Sequence, residues 1–380
     1  MFHKSFHLSG SVSRITSNYF LRFLSSKADF EAAQANLKKI KDEPDAATKL
    51  KIYALFKQAT AGNVTGKRPG VIDFVGRAKF DAWKSLEGMS QEDAQKKYAE
   101  LVDKLLGEEV ETSESETSVG DLKPVPGIRI SIEGKIFRIH LNRPNKYNAL
   151  TNEMYEGLIA ALNYASKDRT TSVTVFSASG RYFCSGNDLS NFTRLKGPDA
   201  IPRMAKEGAD ILERYVNAFI SHEKPLFALV NGPAIGISVT VLGLFDLVLA
   251  SDKASFHTPF ATLGQSPEGC SSYTFPLLMG PIKAAEVLLL SRKLTALEAY
   301  ERNLVTEVFP DATFKEESEK RILEYSLLPP ESLRMNKWIL RESHRDALLK
   351  CNTREVKLLA ERWQGQECMD AIKTFMTRKT

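Results

Sequence analysis

Glu268 stands in Leu263-Gly264-Gln265-Ser266-Pro267-Glu268-Gly269-Cys270-Ser271-Ser272, and a carboxylate in such a segment has two possible employments. In an apolar pocket its pKa would rise and it could move protons as a general base and acid. Equally, Ser266-Pro267-Glu268 reads as a helix start, with serine as N-cap and proline at the first position, where an acid merely complements the helix dipole. Two glycine-bearing segments, Cys184-Ser185-Gly186-Asn187-Asp188-Leu189 and Val230-Asn231-Gly232-Pro233-Ala234-Ile235-Gly236, could turn backbone N–H groups toward a developing negative charge, or could be turns and nothing more. Lys57 and Lys79 are by themselves ordinary surface charge, and Tyr53 and Tyr98 ordinary packing.

Other chemistries have little to build on. Cys184, Cys270, Cys351 and Cys368 lie far apart without CxxC spacing, and the six histidines are scattered, so no metal site is expected. Of the net charge of +5, Lys4, Arg14, Arg22 and Lys27 supply four before the first acid, Asp29, which leaves the rest close to neutral and a nucleic-acid partner without support. Residues 1–28 are basic, serine-rich and acid-free, with Phe2, Phe6, Leu8, Ile15, Phe20, Leu21, Phe23 and Leu24 as an apolar side, the composition of a mitochondrial transit peptide. Leu226 to Phe245 carries no charge over a length that could cross a membrane. The Asn231-Gly232-Pro233 break reads instead as a turn after a buried strand at Leu226–Val230, followed by a small-residue helix start and another buried strand at Leu247–Ala250, so no membrane span is expected.

These residues need two different frames. At 380 residues, 43% apolar and 26% charged, the chain exceeds one ordinary hydrophobic core. Between 29 and 106, Phe30, Ala33, Leu37 and Ile40, then Ala94, Tyr98, Leu101 and Leu105, recur at helical spacing; two further helical patterns lie around Leu50–Thr60 and Ile72–Leu86. This predicts a small all-α four-helix domain. Residues 107–127, acidic through Glu108, Glu109, Glu111, Glu114, Glu116 and Asp121, predict a self-repelling flexible linker. From 128 to 380, strand-like runs Ile136–Leu141, Val173–Phe176, Leu226–Val230 and Leu247–Ala250 alternate with helical stretches Asn152–Ala165 and Met204–Ile220, and helices dominate beyond Pro281. The fold class expected there is α/β.

The segment Tyr53-Ala54-Leu55-Phe56-Lys57-Gln58-Ala59-Thr60, Arg68-Pro69-Gly70 and Gly76-Arg77-Ala78-Lys79-Phe80-Asp81-Ala82-Trp83 closely resembles the acyl-CoA-binding protein family. The resemblance implies a bundle that binds long-chain acyl-CoA through Tyr53, Phe56, Lys57, Lys79 and Tyr98, with Phe56 where the family usually has tyrosine. Leu141-Asn142-Arg143-Pro144, Asn148-Ala149-Leu150 and the two glycine segments resemble the crotonase (enoyl-CoA hydratase/isomerase) superfamily in order and spacing. This implies a spiral of ββα turns with C-terminal helices, a homotrimer, and an oxyanion hole formed by the N–H groups of Ser185 and Ile237. Gly186, Asn187, Asp188, Leu189 and Gly236 would complete the CoA thioester site, with Asp188 in a structural role.

Where hydratases of that superfamily carry two catalytic glutamates, this chain has Thr240 and Phe260. The run around Glu268 instead resembles the Δ3,Δ2-enoyl-CoA isomerases that are fused to an acyl-CoA-binding domain, whose motif glutamate is the catalytic base. The expectation is isomerisation of a 3-enoyl-CoA to a 2-enoyl-CoA in fatty-acid β-oxidation, with no cofactor beyond the CoA thioester substrate; hydration and a catalytically inactive acyl-CoA carrier are the alternatives. The end Arg378-Lys379-Thr380 differs from the Ser-Lys-Leu address of peroxisomal relatives, so the mitochondrial matrix is expected, with the peroxisome as alternative.

Overall fold

The computed structural model describes residues 30–37, 46–66, 68–70, 73–110, 119–193, 197 and 199–377. The expected transit peptide, residues 1–28, lies outside them. The chain forms two units, divided at Glu114 and Ser115.

In the first unit, α1 (30–37), α2 (Ala46–Ala61), α3 (Phe74–Lys84) and α4 (Gln91–Val110) make the expected all-α bundle. Its core collects Phe30, Ala33, Leu55, Ala59, Ala94, Tyr98, Ala99 and Val102, the residues that helical periodicity puts on facing stripes. The buried Gln58 amide donates to the Met89 carbonyl at 2.6 Å, and the Trp83 indole donates to the Gly62 carbonyl at 2.9 Å, so the long α2–α3 connection is tied by side chains. Asp73 caps α3 by accepting from the Gly76 N–H at 2.8 Å.

The expected linker is too long at both ends. Helix α4 runs on to Val110, and Val119, Leu122 and Val125 pack against the core of the second unit. Acidic composition masked these apolar positions, whose partners are distant in sequence. Residues 111–118 lie outside the described set.

The second unit is α/β. Strands β1 (Ile128–Glu133), β2 (Ile136–Leu141), β3 (Val173–Ala178) and β4 (Leu226–Val230) begin the larger sheet. A second sheet starts at β5 (Ala234–Ile235), and β6 (Leu247–Ser251), β7 (Ser255–His257), β8 (Leu294–Thr295) and β9 (Glu307–Phe309) complete the two. The orders are β1-β2-β3-β4-β6-β9 and β5-β7-β8. Only β1 and β2 pair antiparallel in the larger sheet. Strand β4, Leu-Phe-Ala-Leu-Val, is buried throughout, as a parallel strand covered on both faces must be.

Helices α5 (Asn152–Lys167), α6 (Ser190–Thr193) and α7 (Ala200–Ile220) follow the early strands, and α8 (Ile237–Thr240) follows β5. Helices α9 (Ser271–Met279), α10 (Pro281–Leu288), α11 (Ala296–Glu301), α12 (Asp311–Ser326), α13 (Pro330–Gln364) and α14 (Gln366–Thr377) make up the helical last third. Thr151 caps α5, and Met154, Leu158, Ala161, Leu162 and Ala165 bury its inner face. Helix α13 is pinned at two levels. Lys337 donates to the Lys224 carbonyl at 2.6 Å and pairs with Asp246 at 2.7 Å, while Asn352 donates to the Glu213 carbonyl and to Asn217, both at 3.0 Å.

The helix start expected at Ser266-Pro267-Glu268 is displaced. Helix α9 begins at Ser271, after Gly269 and Cys270 take φ of 70° and 62°, which breaks any helix begun upstream. Glu268 is therefore in the loop before the helix, not in its first turn.

Candidate active site

The C-terminal ends of the parallel strands and the loops that leave them open onto one cavity of about 510 Å³, the place where α/β sheets commonly hold ligands. Ser185, Gly186, Asn187, Asp188 and Leu189 line it after β3, Ile235, Gly236 and Ile237 after β4, and Pro259 and Phe260 after β7. Glu268 enters from the loop before α9. All the residues singled out in the α/β domain thus face one space. Tyr155 from α5, and Leu359 and Trp363 from α13, add walls that no local motif announced.

The two glycine segments touch each other. Gly186 has φ of 84°, and a Cβ there would stand 2.6 Å from the Ile235 carbonyl oxygen. Turn chemistry and site building are one requirement at this position, because the close approach brings the Ser185 and Ile237 amides to the same wall. Gly186→Ala should cost about 1–3 kcal/mol from the dihedral alone, with the backbone clash added. Denaturant unfolding of the variant checks this.

The two expected oxyanion donors differ. Ile237 is the first residue of α8, so its N–H has no acceptor within the helix. The Ser185 N–H donates to the Tyr147 carbonyl at 2.9 Å. Its availability requires that this bond be shared or released, a demand the sequence did not reveal because Tyr147 adopts the uncommon φ of 53° that swings its carbonyl there.

Glu268 is 5% exposed. Its Oε1 accepts from the Thr240 hydroxyl at 3.2 Å, and its Oε2 is buried without a hydrogen-bond partner. Burial pushes its pKa well above the usual carboxylate range, the Glu355 charge pushes the same way, and the Thr240 bond opposes both. Burial is the largest of the three causes. Among the described residues, the Thr240 hydroxyl is thus the partner of the buried carboxyl that faces the cavity.

Asp188 is held differently. Its carboxylate accepts from Arg143 at 2.6 Å and from the Ser190 N–H at 2.9 Å, and these bonds hold its pKa low against burial. That leaves it an ion-paired strut with no proton to trade near neutrality. The Asn187 side-chain Oδ1 accepts from the Asn191 amide at 2.7 Å, and Asn148 ties the loop after β2 to the Ser179 and Tyr182 carbonyls, both at 2.9 Å.

In the first unit, Lys57 lies over the Trp83 ring at 4.7 Å and Lys79 over the Tyr53 ring at 5.2 Å. Four residues from α2 and α3 therefore make one patch of paired cations and rings. Trp83, part of the quoted segment but not chosen as a contact, belongs with it. Phe56 packs between the bundle's aromatics, 6.2 Å from the rings of Phe30 and Tyr98. Tyr98 is only 2% exposed, edge-on to Phe30 at 4.9 Å, so in this structure it is a core residue and not a ligand-facing one. Its place in the helical stripe with Ala94 was the better signal.

A crotonase-type ββα fold whose strand ends hold two glycine turns, a helix-start amide and a buried carboxyl defines an acyl-thioester site, and the chain belongs to the enoyl-CoA hydratase/isomerase family, whose model matches residues 131–380. Residues 27–102 match the acyl CoA binding protein family. Among similar proteins, enoyl-CoA delta isomerase 2 of Rattus norvegicus is 48% identical over 93% of this chain and 90% of its own length. That of Homo sapiens is 46% identical over the same shares. The solved enoyl-CoA hydratase/isomerase of Pseudoalteromonas atlantica T6c superposes with a TM-score of 0.60 at 30% identity, covering 66% of this chain and 97% of that one. No helix among the described residues is long and apolar enough to cross a membrane.

Proposed function

We propose that this chain is a Δ3,Δ2-enoyl-CoA isomerase, moving a cis or trans 3-double bond to the trans-2 position during β-oxidation of unsaturated acyl chains. The observation that carries the choice is the Thr240–Glu268 pair, a buried carboxyl that faces the cavity and is held by a neutral hydroxyl. The resemblance to the superfamily, read residue by residue, supports it by putting Thr240 and Phe260 where hydratases carry glutamates. Both relatives named above are enoyl-CoA delta isomerases.

The unpartnered Oε2 of Glu268 takes a proton from C2. The electron pair left at C2 delocalises onto the thioester oxygen on one side and through the C3–C4 double bond to C4 on the other, and the same carboxyl returns the proton to C4, leaving the double bond between C2 and C3. The Ile237 N–H, joined by Ser185 N–H as it turns from the Tyr147 carbonyl, holds the developing oxyanion. No electrons enter or leave, so no redox cofactor is called for. The test is turnover: purified protein should conjugate a 3-enoyl-CoA, seen as growth of the enoyl-thioester absorbance, and should not hydrate a 2-enoyl-CoA. Hydration as the faster reaction would sink the reading.

Thr240→Val removes the one bond that lowers the Glu268 pKa. The group must be ionised to act, so the acid limb of the pH–rate profile should move to higher pH, by about 0.5–1 unit for one neutral hydrogen bond. A limb that stays in place would separate Thr240 from the base.

The Lys57–Trp83 and Lys79–Tyr53 pairs suit the phosphates and adenine of an acyl-CoA. In the full chain, Lys57→Ala with Lys79→Ala should weaken one of two acyl-CoA sites about 10²–10⁴-fold by calorimetry, since each of the two lost charged contacts is worth roughly 1.5–3 kcal/mol. The other site should be unchanged.

The exposed apolar side chains of the last third, among them Ile282, Leu290, Trp338, Ile339 and Leu340, support a homotrimer, to be measured by light scattering. The basic leader supports the mitochondrial matrix, to be tested by imaging a C-terminally tagged copy.

A further inference from the structure

Cys270 is where the chain turns into α9, and no side chain of its own caps that helix. The first N–H groups of a helix lack acceptors within it, so a start in the interior needs acceptors from elsewhere. Glu355, 85 residues away on α13, provides them: Oε2 accepts the Cys270 N–H at 2.7 Å and Oε1 the Ser272 N–H at 2.8 Å. Between those amides lies Ser271, whose N–H and hydroxyl both donate to the Glu268 carbonyl, at 3.2 and 2.7 Å. The backbone of Glu268 is therefore gripped by a residue whose two neighbours are gripped by Glu355.

We propose that Glu355 is a positioning residue for Glu268, fixing the 268–272 turn that aims the Glu268 side chain into the cavity and setting a second carboxylate near it. The inference rests on the isomerase reading. A cap alone needs only a neutral oxygen, such as serine, threonine or asparagine supplies. A buried anion beside a second buried carboxyl costs stability that a neutral cap would not. Glu355 is, after burial itself, the next cause of the raised Glu268 pKa. The other groups coupled to Glu268 are Thr240 from α8, Tyr155 from α5, Tyr215 from α7 and Cys270 of its own loop; Cys351 of α13 faces Glu355 and Cys270. None is a cation that would cancel the charge.

Glu355→Gln in the full chain keeps one acceptor and removes the charge. On a 3-enoyl-CoA, kcat should fall about tenfold or more with KM changed less than about threefold, and the acid limb of the kcat profile should move to lower pH by about 0.5 unit or more. Glu355→Asp keeps the charge on a shorter arm, so its limb should stay where the wild type has it while kcat falls at least about fivefold. A Glu355→Gln limb that does not move would overturn the inference, leaving only a structural cap, and so would unchanged kcat. Should Glu355→Gln fail to fold, Glu355→Asp decides alone, wild-type kcat overturning the proposal. Titration of the Glu268 carboxyl by carbon-13 NMR, assigned with Glu268→Gln, should show a lower pKa in Glu355→Gln. That readout needs no turnover, so it stands even if the chain does not isomerise 3-enoyl-CoAs.

Discussion

Glu268→Gln is expected to reduce kcat on a 3-enoyl-CoA by about 10²–10⁴-fold, the usual contribution of a positioned acid–base group, while leaving KM nearly unchanged. Glutamine fills the same volume and can accept the Thr240 hydroxyl, but it takes no proton from C2. The same substitution should stabilise the fold. Burial raises the Glu268 pKa in the folded state, so the neutral carboxyl's stabilising contribution is full below the unfolded value and is lost as pH rises through the folded value. Wild type should therefore melt below Glu268→Gln at pH above that raised value, and the gap should close toward acid pH. Steady-state assay and thermal melts across pH measure both. Loss of activity with loss of stability at every pH would identify Glu268 as a packing residue.

The second large effect is expected at Ile237, whose amide, at the first position of α8, is proposed to meet the thioester oxygen. Ile237→Pro deletes that N–H at the first position of α8, where proline's fixed φ is accommodated and no helical bond is lost. Gly236, at φ 63° and ψ −126°, is the mirror image of the extended geometry that residues before proline prefer, and glycine accepts either hand. Loss of one oxyanion donor should lower kcat by about 10²–10³-fold, or about 2.7–4 kcal/mol. Circular dichroism and a melt confirm the fold. Activity within about threefold of wild type would remove Ile237 from the mechanism and place the burden on Ser185.

Local signals were legible where local physics decides. The runs at Ile136–Leu141 and Leu226–Val230 became strands with those same bounds, because each is too short for an ordinary helix, is rich in branched and aromatic residues and ends at turn residues. Gly186 and Gly236 declared their turns through dihedrals that other residues avoid. The helix start read at Ser266-Pro267 failed because proline's φ also suits an extended loop, and the break came from Gly269 and Cys270 three residues on. Tyr98 went to the core because Phe30 and Phe56 flank it, a neighbourhood assembled from three helices.

By itself the sequence determined that there are two modules, where four strands of the larger sheet fall, and which short segments hold the chemistry-bearing residues. Each of these depends on composition, on a period of two or 3.6 residues, or on a glycine's freedom, all of which are local. Only the tertiary structure decided that Glu268 is buried with one oxygen bonded to Thr240 and the other open, that Ser185 already has an acceptor in Tyr147, and that α13 brings Glu355 against the turn before α9. A carboxyl's basicity is set by the solvent it loses and the charges it gains, and both are fixed by residues that meet only when helices and sheet have packed.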